Sequence, residues 1–173
     1  MVYCYGVYLP DTFALLKKQY PQIKLIEGIS GNLKFDRNLI NVLIIDDLMV
    51  NANKSSIISD YFTKGSHHLN LSVFLLTQNF FQKGEFSRTI SLNAHYIFLF
   101  NNPRDKRQVE SLAQQMFPKQ TKILTEAYFD SIERNPFGYL LIDLKQSTPT
   151  CLRLRTNILP TDREQLIIYV PTI

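Results

Sequence analysis

The chain has 173 residues, of which 45% are hydrophobic and 20% charged, and its formal net charge is +4. This length supports one hydrophobic core, so we expect a single domain over residues 1–173. No stretch approaches the roughly 18 apolar residues of a membrane span, and the N-terminus lacks the basic-then-apolar order of a signal peptide. The sequence therefore predicts an intracellular protein without a membrane partner.

The first half of the chain predicts strands that alternate with helices. Four strands are expected, over residues 2–8, 23–26, 42–45 and 71–76. Between the first two strands, Asp11 is expected to cap a short helix that stops at Pro21. A second helix is expected to begin at Asn53, to place its apolar residues on one face, and to end at Gly65 before the fourth strand.

The second half begins with a predicted polar loop over residues 79–87. Three more strands are expected, over residues 95–100, 138–144 and 151–155. Asn102 and Pro103 predict a helix start. Asn is a capping residue, and proline at the first helical position loses no hydrogen bond, because an N–H there would have no partner within the helix. A second helix should end before Pro136. Only residues 145–149 separate the last two strands, which can therefore be antiparallel. The alternation as a whole predicts an α/β fold with a mostly parallel sheet and helices on both faces.

Two carboxylates follow the apolar run at residues 42–45. A strand that is apolar on both faces suits the centre of a parallel sheet, and ligands bind outside the carboxyl ends of such strands. Asp46 and Asp47 would lie at that end. In nucleoside triphosphatases one acid there holds the magnesium shell, and its neighbour orients or deprotonates the attacking water. The alternative is that the two acids only end a strand and start a turn.

The strand at residues 71–76 ends in Thr77, Gln78 and Asn79. If this strand and the Asp46 strand are parallel neighbours joined by the helix between them, Gln78 emerges beside Asp46 and Asp47. An amide at that position can donate to a phosphate oxygen and accept from a water molecule. The alternative is a turn that binds no ligand.

Several blocks of sequence between Val42 and Pro160 occur in a recognisable order. They are residues 43–49, 62–68, 77–79, 87–90 and 102–105. This ordered set resembles the genome-packaging ATPases of poxvirus-like and related large DNA viruses, which also occur in DNA transposons of the Maverick or Polinton type. Those proteins belong to the FtsK and HerA superfamily of P-loop DNA translocases. The resemblance covers most of the chain.

The resemblance implies a fold and a role for individual residues. The fold would be a three-layer P-loop NTPase sheet of the RecA and FtsK type. Asp46 would be the Walker B acid, which holds Mg²⁺ through water and contributes to ATP binding. Asp47 stands where the superfamily usually has Glu, and Gln78 would be the sensor amide that contacts ATP. Arg88 follows the Gln78 loop and is a candidate arginine finger; the alternatives are a surface arginine or a phosphate contact.

One departure from the family concerns the phosphate-binding loop. None of the six glycines lies in a G-x-x-x-x-G-K-[ST] run. We therefore expect this chain alone to be inactive as an ATPase and to begin after the P-loop, through truncation or decay of the gene. The fold would be incomplete at the N-terminal P-loop strand. The missing strand is expected beside the Asp46 strand, in the middle of the sheet.

Basic residues are bunched in two places in the second half of the chain. They are Arg104, Lys106, Arg107, Arg153 and Arg155. Together with the positive net charge, they fit phosphate contacts to double-stranded DNA. The alternative is that they are solvated faces of helices and strands.

The resulting hypothesis is the Walker B to C-terminal part of a DNA-packaging ATPase that uses magnesium ATP to move double-stranded DNA. By resemblance the complete protein would be a homo-oligomeric ring, a hexamer, in the cytoplasm or nucleus of the host cell or associated with the virion. One alternative is a non-catalytic nucleic-acid-binding or oligomerisation module that keeps the fold. Another is a nuclease that uses Asp46 and Asp47 for magnesium.

Overall fold

A computed structural model divides the chain into two compact units, Met1–Asn93 and Ala94–Ile173. The structure describes residues 1–48, 52–65, 68–79, 85–104, 106–135, 137–162 and 164–170, and within these it leaves out the side chains of residues 52–55 and 85–88. Each unit contains a four-stranded sheet. Within the described ranges, no helix is long and apolar enough to cross a membrane.

The first unit alternates strands with helices. Its elements in chain order are β1 (Val2–Tyr5), α1 (Pro10–Gln19), β2 (Lys24–Glu27), β3 (Asn41–Asp46), α2 (Ala52–Asp60), a π-helical turn (Tyr61–Gly65), β4 (Leu71–Leu76) and α3 (Glu85–Asn93). The strands are all parallel and lie in the order β2-β1-β3-β4. The prediction that the Asp46 strand and the following strand are parallel neighbours is confirmed.

The central strands β1 and β3 of this parallel sheet are packed on both faces. Side chains alternate along each strand, so that Cys4, Leu43 and Ile45 contribute to a core cluster on one face, where α2 packs. Tyr3 lies on the opposite face with Phe13 of α1 and forms a smaller cluster there. For β1 and β3, burial on both faces explains why their sequences are largely continuous apolar runs rather than alternating ones.

The expected position of a missing strand beside the Asp46 strand is wrong. β3 pairs with β1 on one side and with β4 on the other, so it has no free edge. In the described part of the first unit, the outer edges belong to β2 and β4. On β4 the side chains of Phe74 and Leu76 are 50% and 45% exposed, although both are large and apolar.

The second unit contains an antiparallel sheet. Its elements are β5 (Tyr96–Phe100), α4 (Arg107–Met116), α5 (Thr121–Arg134), β6 (Tyr139–Asp143), a 3₁₀ turn (Thr150–Leu152), β7 (Leu154–Thr156) and β8 (Ile167–Tyr169). The strand order is β5-β6-β7-β8, and each neighbouring pair is antiparallel. All five residues of β6 are buried. α5 packs on β6, and α4 packs on α5.

The molecule is thus mixed α/β, with a parallel sheet and a separate antiparallel one. The sequence correctly allows antiparallel final strands, but it does not predict that β5 and β6 are also antiparallel. The reason lies in their connection. A single crossover helix carries the chain to the end of the sheet where the first strand began, so the next strand is parallel. The second helix, α5, carries the chain back to the end where β5 finished, so β6 runs in the opposite direction.

Three local predictions are corrected. α1 begins at Pro10, so Asp11 lies in its first turn rather than capping it. α4 begins at Arg107, because the Asn102 side chain instead accepts a hydrogen bond from the Arg104 N–H (3.1 Å) in a preceding turn. The predicted loop through residue 87 overlaps α3, and β8 was not predicted.

Candidate functional site

The carboxyl ends of β1, β3 and β4 meet at one edge of the first unit's sheet, which we call the carboxyl edge. In the strand register, Asp46 of β3 pairs with Tyr5 of β1 on one side and with Leu76 of β4 on the other. Backbone hydrogen bonds continue beyond the strands: the Gly6 N–H donates to the Asp46 carbonyl, and the Asp47 N–H donates to the Leu76 carbonyl, both at 3.2 Å. The chain segments that carry Asp46, Asp47 and Gln78 therefore leave the sheet side by side.

The Asp46 side chain is held by a tyrosine from the neighbouring strand. The Tyr3 hydroxyl donates a hydrogen bond of 2.8 Å to Asp46 Oδ2. Tyr3 is 8% exposed and lies in an apolar cluster, whereas Asp46 is half-buried at the sheet edge. Burial, followed by the hydrogen bond and the charge of Asp46, raises the pKa of Tyr3 to about 12. The phenol therefore remains a neutral donor to the carboxylate at physiological pH.

Asp47 is exposed and has a left-handed backbone, with φ of 52°. Asp and Asn adopt this conformation more readily than other non-glycine residues. The turn is tightly packed, since a Cβ added at Gly6 would lie 3.1 Å from the Asp47 carbonyl oxygen. The next residue, Leu48, is 2% exposed and anchors the turn in the core. This geometry directs the chain sharply away from β3 and leaves the two acids in different environments.

Gln78 is exposed and follows Thr77, whose hydroxyl accepts a hydrogen bond from the Asn79 N–H at 3.3 Å. Its chain segment emerges next to that of Asp46, as the sequence predicts. Among the described residues, no hydrogen bond joins Gln78 to Asp46 or Asp47. Arg88 is part of α3, but its side chain lies outside the described atoms, and the arginine-finger prediction concerns that side chain.

The five predicted DNA-contacting residues all belong to the second unit, and they fall into two groups. Arg104, Lys106 and Arg107 are exposed at the start of α4, where the Lys106 ammonium lies 5.6 Å from the centre of the Phe129 ring. The other two contact Asp143 at the end of β6. Arg155 Nη2 lies 2.5 Å from Asp143 Oδ2, and Arg153 Nη1 donates to the Asp143 carbonyl at 2.9 Å.

These contacts give the two groups different chemistry. The Arg155 and Asp143 side chains are 25% and 6% exposed, so their ion pair is largely removed from solvent. Such a pair joins neighbouring strands β6 and β7, and Nη2 of its guanidinium is already engaged. The three residues at the start of α4 are available to an incoming phosphate backbone.

A magnesium ion at the carboxyl edge would have to be held mainly by water and phosphate. Within the described ranges, no group of three or more His, Cys, Asp or Glu side chains could enclose a metal. Mg²⁺ does not need such an enclosure, because it usually keeps several waters and binds one or two carboxylates together with substrate phosphates. Asp46, with one oxygen engaged by Tyr3, can supply such a carboxylate.

Sequence reasoning assigned Tyr3 to a strand and missed its contact with Asp46. A usable signal was present, since a phenol in a short apolar strand carries a polar atom that needs a hydrogen-bond partner when buried. What the sequence lacks is the pairing of β1 with β3, which brings together residues 43 positions apart.

No family model, curated protein or solved structure matches this chain.

Proposed function

We propose that this chain is the Walker B to C-terminal part of a P-loop ATPase that couples ATP hydrolysis to the movement of double-stranded DNA. The observation that carries the proposal is the parallel pairing of β3 with β4, which brings the segments of Asp46, Asp47 and Gln78 to one sheet edge. Acids and an amide at the carboxyl ends of adjacent parallel strands are the arrangement that phosphoryl transfer on magnesium ATP requires.

Each residue at the carboxyl edge has a distinct role in this proposal. Asp46 holds the water shell of the magnesium ion that neutralises charge on the ATP phosphates. Asp47, which is exposed, orients the attacking water or accepts its proton. Gln78 contacts the γ-phosphate through its amide. The phosphate-binding loop, which the sequence lacks, comes from another polypeptide segment.

That segment would complete a P-loop NTPase sheet by adding a strand beside β4. The outer strand β2 has exposed charged residues at both ends, Lys24 and Glu27, and charge is a common means of protecting a sheet edge. β4 has no charged residue and exposes Phe74 and Leu76. An unprotected apolar strand suits the interior of a larger sheet, so the outer side of β4 is where we expect the phosphate-loop strand.

In this proposal the DNA partner is bound by the exposed basic residues at the start of α4, Arg104, Lys106 and Arg107. A translocating motor needs contacts with phosphates rather than with bases, because recognition of bases would stall it at preferred sequences. The hexameric ring of the complete protein rests on the family resemblance.

The test compares ATP turnover by this chain with turnover by a fusion that supplies an upstream phosphate-loop segment. The chain alone should release no phosphate with magnesium and DNA, and the fusion should do so. In the fusion, Asp47→Asn should abolish most turnover and leave nucleotide binding nearly intact, because it removes proton acceptance. Asparagine is the appropriate replacement because it also tolerates the left-handed backbone at this position.

Three outcomes would contradict parts of the proposal. Turnover by the chain alone that disappears in Asp46→Ala would reveal a phosphate site that does not need a P-loop. Loss of nucleotide binding in Asp47→Asn, with loss of turnover only in Asp46→Asn, would reverse the roles of the two acids. A fusion that binds DNA but neither binds nor hydrolyses ATP would favour the alternative, a non-catalytic nucleic-acid-binding module.

A further inference from the structure

The contact between Tyr3 and Asp46 joins the interior of the first unit to its carboxyl edge. Tyr3 is fixed by its surroundings, because its ring packs edge-on against Phe13 with 5.7 Å between ring centres. From this position its hydroxyl reaches one oxygen of the Asp46 carboxylate. The buried Tyr3 hydroxyl thus holds the carboxylate of Asp46, which is half-buried at the carboxyl edge.

The donor is neutral, and this affects what the carboxylate can bind. A lysine or arginine at the same place would compensate the negative charge of Asp46 and compete with a cation. Among the described residues, no cationic side chain forms a salt bridge with Asp46 or Asp47. The Tyr3 hydroxyl takes one lone pair of Oδ2, so it restricts the rotation of the carboxylate without neutralising it.

We infer that Tyr3 is a positioning residue for Asp46, which orients its carboxylate toward a divalent cation at the carboxyl edge. The inference rests on the proposed function, in which Asp46 is the acid on the magnesium side. Ligating carboxylates are commonly fixed by hydrogen bonds from an outer shell of residues, and loss of such a partner weakens metal affinity about 10- to 100-fold. Because water and phosphate supply most of this ion's ligands, we expect an effect near the lower limit.

Tyr61 provides a matched control in the same unit. It is also buried, at 6% exposed, and its hydroxyl also donates a hydrogen bond, but the acceptor is the Ser30 carbonyl at 2.7 Å. Tyr3→Phe and Tyr61→Phe therefore each remove one hydroxyl from the same unit. Only the first removes a hydrogen bond to an acid at the carboxyl edge.

The experiment measures binding of Mn²⁺ to the full chain by isothermal titration and by water proton relaxation. Mn²⁺ serves as the probe because it prefers the same oxygen ligands as Mg²⁺ and is paramagnetic. The wild-type chain should bind Mn²⁺ weakly, and Asp46→Asn should abolish that binding. Tyr3→Phe should weaken it about tenfold, whereas Tyr61→Phe should leave it unchanged. Circular dichroism and thermal unfolding of all variants establish that they are folded.

The outcomes separate this inference from the proposed function. Binding that is lost in Asp46→Asn but is equal in wild type and Tyr3→Phe would overturn the role of Tyr3 and leave the role of Asp46 intact. Equal weakening in Tyr3→Phe and Tyr61→Phe would also overturn it, because a general loss of packing would explain both. Absence of Mn²⁺ binding in the wild type, or binding unaffected by Asp46→Asn, would overturn the magnesium role of Asp46 and the inference with it.

Discussion

Asp46 in the first unit and Asp143 in the second each end a strand, and the two acids have different partners. In the second unit Asp143 is paired with Arg155, and Asp130 accepts hydrogen bonds from Arg134 and Tyr169. In the first unit, the described contact of Asp46 is with the neutral hydroxyl of Tyr3. Asp143 and Asp130 are thus each paired with an arginine, whereas, within the described ranges, no cationic side chain forms a salt bridge with Asp46.

This difference distinguishes Asp46 from Asp143 as a candidate ligand for a cation. A buried carboxylate that is already paired with an arginine stabilises a particular packing and has no capacity left for a ligand cation. A carboxylate held only by a neutral donor keeps that capacity. In the proposed function the cation and phosphate chemistry therefore belongs to Asp46 in the parallel unit, and the second unit contributes the exposed basic segment at the start of α4.

The largest expected effect tests whether the Asp143 pair is structural. Arg155→Ala leaves the Asp143 side chain, 6% exposed, without its cation, and should lower the free energy of unfolding by about 3 kcal/mol. The matched control is Arg107→Ala, which removes an exposed arginine at the start of α4 and should change stability by less than about 0.5 kcal/mol. Urea denaturation of both variants provides the measurement. Similar, small losses in the two would remove the distinction between the two groups of basic residues.

The next effect concerns affinity for DNA. If the residues at the start of α4 contact phosphates, binding to random duplex DNA should fall steeply with salt, because bound counterions are released. The double substitution Arg104→Gln and Arg107→Gln should flatten the salt slope by about two units, one for each lost contact. Fluorescence anisotropy at several salt concentrations measures the slope.

The control for this measurement removes the same charge from the other unit. Lys17 and Lys18 lie exposed in the last turn of α1, and changing both to glutamine lowers the net charge equally. The slope should then stay near the wild-type value. If both double variants flatten the slope to the same degree, the DNA affinity reflects overall charge. The basic residues at the start of α4 would then be a solvated helix face rather than DNA contacts.

The sequence predicted the parallel half of the fold well because that half depends on local patterns. Apolar runs identified β3 and β4 as strands, and the intervening helix made them parallel neighbours. The position of β1 between β2 and β3 has no comparable local signal, since apolar runs mark β1, β3 and β4 alike and do not specify their order. The order of the strands, and with it the contact between Tyr3 and Asp46, therefore could not be predicted.

The second half shows a different limitation. The apolar periodicity of α4 and α5 was recognisable, but the start of α4 was misplaced because Asn102 and Pro103 favour a turn as well as a helix start. The direction of β5 relative to β6 depends on how α4 and α5 pack together, which is a tertiary property. Likewise, the pairing of Arg155 with Asp143 depends on the register of β6 and β7, so in the sequence Arg155 resembled any other basic residue.

The smallest expected effect compares two ion pairs of equal spacing, one in each unit. Asp130–Arg134 and Asp60–Lys64 are both i,i+4 pairs on helices, at 2.7 and 2.9 Å. Only Asp130 also accepts a hydrogen bond from a distant residue, the Tyr169 hydroxyl of β8 at 2.8 Å. Asp130→Asn should therefore cost about 1 kcal/mol of stability near neutral pH, mostly through the weakened bond from Tyr169, and Asp60→Asn should cost less.

The pH dependence of this effect has a defined sign. Hydrogen bonds from Arg134 and then from Tyr169 lower the pKa of Asp130 below its usual 3.8. Its contribution is thus complete above pH 3.8 and is lost as the pH falls through the lowered pKa of the folded state. The stability difference between wild type and Asp130→Asn, measured by urea denaturation, should shrink below pH 3.8. A difference that is constant down to the acid limit would show that the charge on Asp130 contributes nothing to stability.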